Sequence, residues 1–177
     1  NINFFGGSDL FGWGLKDDET LPYIFSQNNK EYNVFNYGIS GGAAHQTLHM
    51  MKKDKTYVGD INVIVTTSLH LPRIACNRDN VFNSPIYAIK KGKLIFDGYC
   101  IFSFIKTKFQ LSRIIGSVLN RSEILKIFRN TLSTENTQEN INLYIEILKE
   151  INEISIREKK KVVFLFYGPQ KDLDKRI

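Results

Sequence analysis

The chain has 177 residues, 42% of them apolar and 24% charged, with a formal net charge of +6. That length and composition suit one globular domain with a sizeable core and exclude a disordered chain. The basic excess is scattered over Lys52-Lys53, Lys90-Lys91, Lys106, Lys108 and Lys159-Lys160-Lys161. A nucleic-acid footprint would gather such charges on one face with aromatics between them, so these read as solvated lysines at helix ends and a hairpin tip. No apolar run reaches the roughly 18 residues of a membrane span, and no secretory leader is visible. Cys76 and Cys100 set no disulfide framework; one bridge and two separate thiols both fit the sequence. The compartment stays open between the cell envelope and the cytoplasm of a bacterium.

The elements alternate strand and helix. Ile2 to Phe5 is a short apolar run feeding Gly6-Gly7, which reads as a buried strand and its turn. The chain opens so close to this strand, and ends so soon after its last one, that it reads as cut at both ends. Asp17-Asp18-Glu19-Thr20 caps a helix through Leu21, Ile24 and Phe25, with Pro22 in its first turn and Asn28-Asn29 at its end. Tyr32 to Tyr37 is a second strand, Gly38 to Gly42 a turn, and Ala43 to Lys53 a second helix. Ile61 to Thr67 is β-branched and nearly continuous, as expected of a parallel strand covered on both faces.

Residues 71–130 read as an insertion. In it, Pro85 to Ile89 and Lys93 to Phe96 flank Lys90-Lys91-Gly92 as a hairpin, and Phe104 to Phe128 supplies one or two helices. After a polar loop from Thr131 to Thr137, the stretch from Thr137 to Lys159 is a long helix. Ile141, Tyr144, Ile145, Leu148, Ile151 and Ile154 form its apolar face. Val162 to Tyr167 is a fourth core strand. The expected fold is α/β: a single domain over residues 1–177, built as a three-layer α/β/α sandwich with a parallel, flavodoxin-like sheet and a hairpin/helix insertion.

Ligands of such a sheet bind at the carboxyl ends of its strands. Three loops leave those ends. The first carries Gly6, Gly7, Ser8, Asp9, Gly12, Trp13 and Gly14; the second Gly38, Ser40, Gly41 and Gly42; the third Thr66, Thr67, Ser68, His70 and Arg73. A serine displayed there is a nucleophile if a base reaches it, and glycine backbone N–H groups beside it can hold an oxyanion. The loops contain neither Gly-x-x-x-x-Gly-Lys-Ser/Thr nor Gly-x-Gly-x-x-Gly, which argues against a nucleotide binder.

The stretch from Phe4 to Gln27, followed by that from Tyr32 to Met51, resembles the first two blocks of SGNH/GDSL hydrolases. The resemblance puts Ser8 at the nucleophile position, in a Gly-x-Ser turn after the first strand. It puts Gly41, in Asn36-Tyr37-Gly38-Ile39-Ser40-Gly41, at an oxyanion-donor position. What it implies is a serine hydrolase of the esterase or deacetylase type, acting on a small acylated carbohydrate or lipid-like ester, with no metal or organic cofactor. Acyl transfer to a second hydroxyl would use the same serine, and a non-catalytic binding or assembly domain on the same fold is the alternative.

The sequence departs from that pattern in three places. Gly7 stands where the family has Asp, and an acid follows instead at Asp9. The third block reads Val65-Thr66-Thr67-Ser68-Leu69-His70, without the family's oxyanion Asn; Ser68 or Thr67 is the replacement donor available. The Asp-x-x-His block that carries the family's base is not matched, since Asp172 and Asp174 have no His after them. The resemblance then implies a base from a His beyond Ile177, with His70 as the substitute within these residues. Asp9, His45 and Arg73 are candidate substrate contacts. Trp13 reads as packing that fixes the nucleophile loop, with a substrate platform as its other reading. His45 and His49 share one helix face, but no Asp, Glu or Cys lies near them to complete a metal site, so a solvated or capping role is expected.

Overall fold

A computed structural model of the chain describes residues 1–74, 84–100 and 138–168. Four parallel strands form one sheet: β1 (Ile2–Gly6), β2 (Val34–Gly38), β3 (Ile61–Thr66) and a last strand at Lys161–Phe166, in the order β2-β1-β3-last. Counted along its own strands this is 2-1-3-4, the order of flavodoxin-like doubly wound sheets. The last strand is numbered β6, because an antiparallel pair, β4 (Pro85–Lys90) and β5 (Lys93–Tyr99), forms a separate two-stranded sheet between them.

Alternation along the strands builds the layers. Ile2 and Phe4 of β1 join Val65 of β3 on one face, under Leu10 of α1 (Ser8–Phe11) and Phe25 of α2 (Leu21–Asn28). Phe5 and Ile64 point the other way. They pack with Leu48 and Met51 of α3 (Ala44–Lys53) and with Tyr144, Ile147, Ile151 and Ile154 of α4 (Gln138–Arg157). The result is a three-layer α/β/α arrangement. All five residues of β1 are buried, as a central strand covered on both faces requires. The cover thins at β6, where Val162 and Phe164 pack on the core while Val163 and Leu165 are exposed on the α1–α2 face.

Several elements differ from expectation. Strand β2 begins at Val34 rather than Tyr32, since Asn33 still belongs to the turn and its carbonyl accepts from Ile2 N. Asp17–Glu19 forms a separate 3-10 turn ahead of α2. In α4 the apolar face is rotated: Ile145 is exposed and Ile147 fully buried. Periodicity in a stripe this rich in Ile and Leu leaves the exact facing residue open, and contact with α3 and β3 decides it. The helix ends in a Schellman motif, with Lys159 at φ 57°, Lys160 N bonded to Ser155 O (2.7 Å) and Lys159 N to Ile156 O (2.9 Å).

The hairpin forms where expected. Lys91 (φ 51°) and Gly92 (φ 73°) give the two-residue turn with both central φ positive that matches strand twist. Leu71 and Ile74, and Tyr87 of the hairpin, are part of the main core. The helices expected from Phe104 to Phe128, the loop from Thr131 to Thr137, Lys106, Lys108, Cys76, Asp172 and Asp174 lie outside the described residues.

Candidate functional site at the carboxyl edge of the sheet

The site is built where β1, β2, β3 and β6 end together. After Gly6 the chain turns through Gly7 into the single helical turn of α1, which Ser8 heads, half-buried. The Ser8 carbonyl accepts from Gly12 N (3.1 Å) and Trp13 N (2.9 Å), and Phe11 N bonds to Gly7 O (2.9 Å). These bonds make the Ser8 turn a closed backbone unit.

Strand β2 is locked to that unit by Asn36. Its amide nitrogen donates to Leu10 O (3.0 Å) and its amide oxygen accepts from Gly38 N (2.9 Å). Ile39 N donates to Gly6 O (3.0 Å), which holds the Gly38–Gly42 loop beside the Ser8 turn. Gly41 has φ 74°, the left-handed conformation that favours glycine. Among the described residues, neither Ser8 N–H nor Gly41 N–H donates to another backbone group.

The end of β3 runs into a 3-10 helix, Ser68–Arg73, that periodicity did not suggest. It carries His70 inward, where only 1% of the residue is exposed. On one side, His70 Nδ1 meets Thr66 Oγ1 (3.3 Å), and Thr66 Oγ1 is bonded to the Tyr144 hydroxyl of α4. On the other side, Nε2 has no hydrogen-bond partner among the described residues. It faces the Ser8 turn: a β-carbon built on Gly7 would lie 2.6 Å from His70 Nε2, 2.9 Å from Asp9 Oδ1 and 3.0 Å from Arg73 Nη1. Arg73 Nη1 donates to Gly42 O (2.7 Å), so this side chain ties the third loop to the second. The fourth strand contributes Tyr167, whose hydroxyl donates to Asp9 Oδ2 and whose backbone N bonds to Thr66 O (3.0 Å).

The electrostatics keep the imidazole neutral. Burial, and then the neighbouring Arg73 charge, lower the His70 pKa to about 4 against the opposing pull of Asp9. Burial pushes the Tyr144 hydroxyl up to about 12, so it stays protonated. Burial and the bond to Asp9 likewise raise Tyr167.

Ser8, Asp9, Gly41, His70 and Arg73 are thus brought to one edge. Three expected residues are not part of that cluster. Ser68 is exposed at the head of the 3-10 turn, and its hydroxyl makes no hydrogen bond among the described residues. Trp13 is not packing: 73% of it is exposed, because the loop turns outward at Gly12. His45 is neither solvated nor able to touch a substrate. It is 1% exposed, with Nε2 2.5 Å from Ser84 Oγ, and burial with nearby positive charge lowers its pKa to about 3. His49 is engaged separately, with Nε2 3.1 Å from the Tyr99 hydroxyl. Thr66, Tyr144 and Tyr167 were missed by sequence reasoning. Only their places at a strand end and on the α4 core face hinted at them.

No protein-family profile matches the chain, and no curated protein does. Among solved structures, it is similar to one described as a mutant of the esterase AlinE4, at 13% identity and a TM-score of 0.39, over 99% of this chain and 79% of that one.

Proposed function

We propose that this chain is a serine hydrolase acting on ester bonds, with Ser8 as nucleophile. The observation that carries the reading is the meeting of Ser8's turn with a buried, neutral imidazole whose Nε2 has no hydrogen-bond partner among the described residues. In this reading Ser8 Oγ attacks the ester carbonyl and His70 Nε2 takes its proton. The Ser8 and Gly41 N–H groups hold the oxyanion, and the same imidazole returns the proton to the leaving alcohol. Water then hydrolyses the acyl-serine by the reverse sequence. Thr66 and Tyr144 hold the His70 ring, and Arg73 holds the Gly42 carbonyl and with it the oxyanion loop.

One observation favours a second reading, a domain that binds an acylated ligand without cleaving it: among the described residues Ser8 Oγ makes no hydrogen bond. Labelling with a fluorophosphonate separates the two. The hydrolase reading expects stoichiometric labelling that Ser8→Ala abolishes and His70→Gln slows at least about a hundredfold. Labelling of the wild type that Ser8→Ala leaves intact, or no labelling, overturns it in favour of the binding domain. Fast labelling in His70→Gln would move the base to another residue.

A further inference from the structure

The loop that leaves Ser8 exposes three large apolar side chains in alternation: Phe11 (51%), Trp13 (73%) and Leu15 (52%). Single exposed apolar side chains are ordinary on a folded surface, but three in alternation on one short loop beside Ser8 form a local apolar cluster. The loop is not loose. Gly12 N and Trp13 N both bond to Ser8 O, and Leu15 N bonds to Gly12 O (2.9 Å). Gly12 lies directly on the buried Thr20, where a β-carbon would come within 2.6 Å of Thr20 Cγ2, and Thr20 Oγ1 in turn bonds to Asp17 O (2.9 Å). The apolar side chains therefore ride on the nucleophile's own backbone and keep a fixed place relative to it. Phe11 also lines a recess of about 300 Å3, whose walls mix apolar Pro22, Tyr23 and Val34 with polar Asp17, Thr20, Ser26 and Asn36.

Charge selects among the possible occupants. Leu15 is followed by one exposed cation, Lys16, and then by the three exposed acids Asp17–Glu19, so the segment is net acidic, and Asp17 reaches the recess. An anionic lipid surface or a free fatty carboxylate would be repelled there. A neutral hydrocarbon chain would not.

We infer that Phe11, Trp13 and Leu15 form a ledge for the acyl chain of the substrate, so that the enzyme takes neutral esters whose acyl group has several carbons rather than acetyl esters. This rests on the reading of Ser8 as the acyl-accepting residue, which sets where the chain starts.

Trp13 is the only tryptophan in the sequence, so intrinsic fluorescence reports on the ledge directly. The experiment titrates the Ser8→Ala protein with methyl octanoate and methyl acetate. The expected result is a saturable blue shift with octanoate that acetate does not give, and at least a fivefold weaker octanoate affinity when Phe11→Ala is added. Equal responses to the two esters, or none, overturn the inference. So does a shift produced only by phosphatidylcholine vesicles, or one that follows protein concentration alone; these point to a membrane surface or a second copy of the chain. With wild-type enzyme, Trp13→Ala is expected to lower the ratio of kcat/KM for p-nitrophenyl octanoate over acetate about tenfold. The two readings fail separately. Loss of Ser8-dependent labelling with the octanoate shift intact overturns hydrolysis, and labelling without chain-length selectivity overturns the ledge.

Discussion

A β-carbon on Gly7 would stand 2.6 Å from Nε2 of His70, closer than any unbonded carbon and nitrogen can approach. The backbone of Gly7, at φ −89°, is open to any residue, so space and not dihedral freedom demands glycine here. Gly7→Ala must therefore displace His70, Asp9 or Arg73, none of which can retreat without breaking another contact. Overpacking of this kind costs about 1–3 kcal/mol, and the displaced imidazole should lower kcat/KM at least about tenfold. Urea unfolding and ester turnover measure the two effects. Wild-type stability and turnover in Gly7→Ala would show that His70 does not face this turn. Gly7→Asp, which restores the residue of the resembling family, should be worse, because Asp9 Oδ1 already occupies the neighbourhood.

The neutral histidines make stability depend on pH with a definite sign. His70 and His45 have folded pKa values lowered to about 4 and about 3, from 6.5. Below pH 6.5 the unfolded chain binds protons that the folded chain refuses. Their stabilisation is present in full above pH 6.5 and is lost as pH falls toward 4, at up to about 1.4 kcal/mol per pH unit for each ring. Urea midpoints at pH 7.5, 6 and 5 should fall in that order, and His45→Gln should flatten the slope by about half. A midpoint constant from pH 7.5 to 5 would contradict the burial of both rings. Turnover should keep a neutral base down to about pH 4–5 in enzyme that stays folded, so its acid limb should lie well below the ordinary histidine value.

Tyr144, Thr66 and His70 Nδ1 are linked by consecutive contacts, so in the proposed hydrolase Thr66 and Tyr144 would position the His70 ring. Thr66→Val leaves both ring nitrogens of His70 unpaired. It should cost about 1–3 kcal/mol and lower kcat about tenfold with little change in KM. Tyr144→Phe should do less, since Thr66 still meets the ring. Thr66→Ser keeps the hydroxyl and should restore most of kcat, an outcome that a purely packing role for the Thr66 methyl would not produce. Full kcat in Thr66→Val would remove the orienting role.

The sheet was legible because its signals are local. Ile2 to Phe5 and Ile61 to Thr66 are apolar runs of strand length, and Gly6-Gly7 and Gly38 to Gly42 mark their neighbours' ends. The same glycines made Ser8 and Gly41 visible. What was not legible depends on contacts made across the fold. Nothing near His45 in sequence announces that Ser84 will meet it, so a histidine at a helix start read as solvated. The inward face of His70 arises from a 3-10 turn around Leu71 and Pro72, too short to show a period. Trp13 misled in the opposite sense: a large aromatic between two glycines resembles packing, and only the outward turn at Gly12 exposes it.

Ser84 is the joint between the hairpin and the main domain. Its carbonyl accepts from Cys100 N (2.8 Å), closing the base of the β4–β5 pair, while its hydroxyl meets His45 Nε2 on α3. One turn further along α3, His49 stacks against Phe96 and Tyr99 of the hairpin. The two contacts differ in kind. His45 is buried, and among the described residues its Nδ1 has no partner, so Ser84→Ala removes the ring's one hydrogen bond seen there and should cost about 1–3 kcal/mol. His49 is partly exposed, and His49→Ala should cost less than about 1 kcal/mol. Amide exchange separates a local from a global effect. Ser84→Ala should speed exchange in β4, β5 and the first turn of α3 more than in β1 and β3. Uniform acceleration would mean that the hairpin and the sheet unfold as one unit, and unchanged exchange would mean that the His45–Ser84 contact does not hold the hairpin.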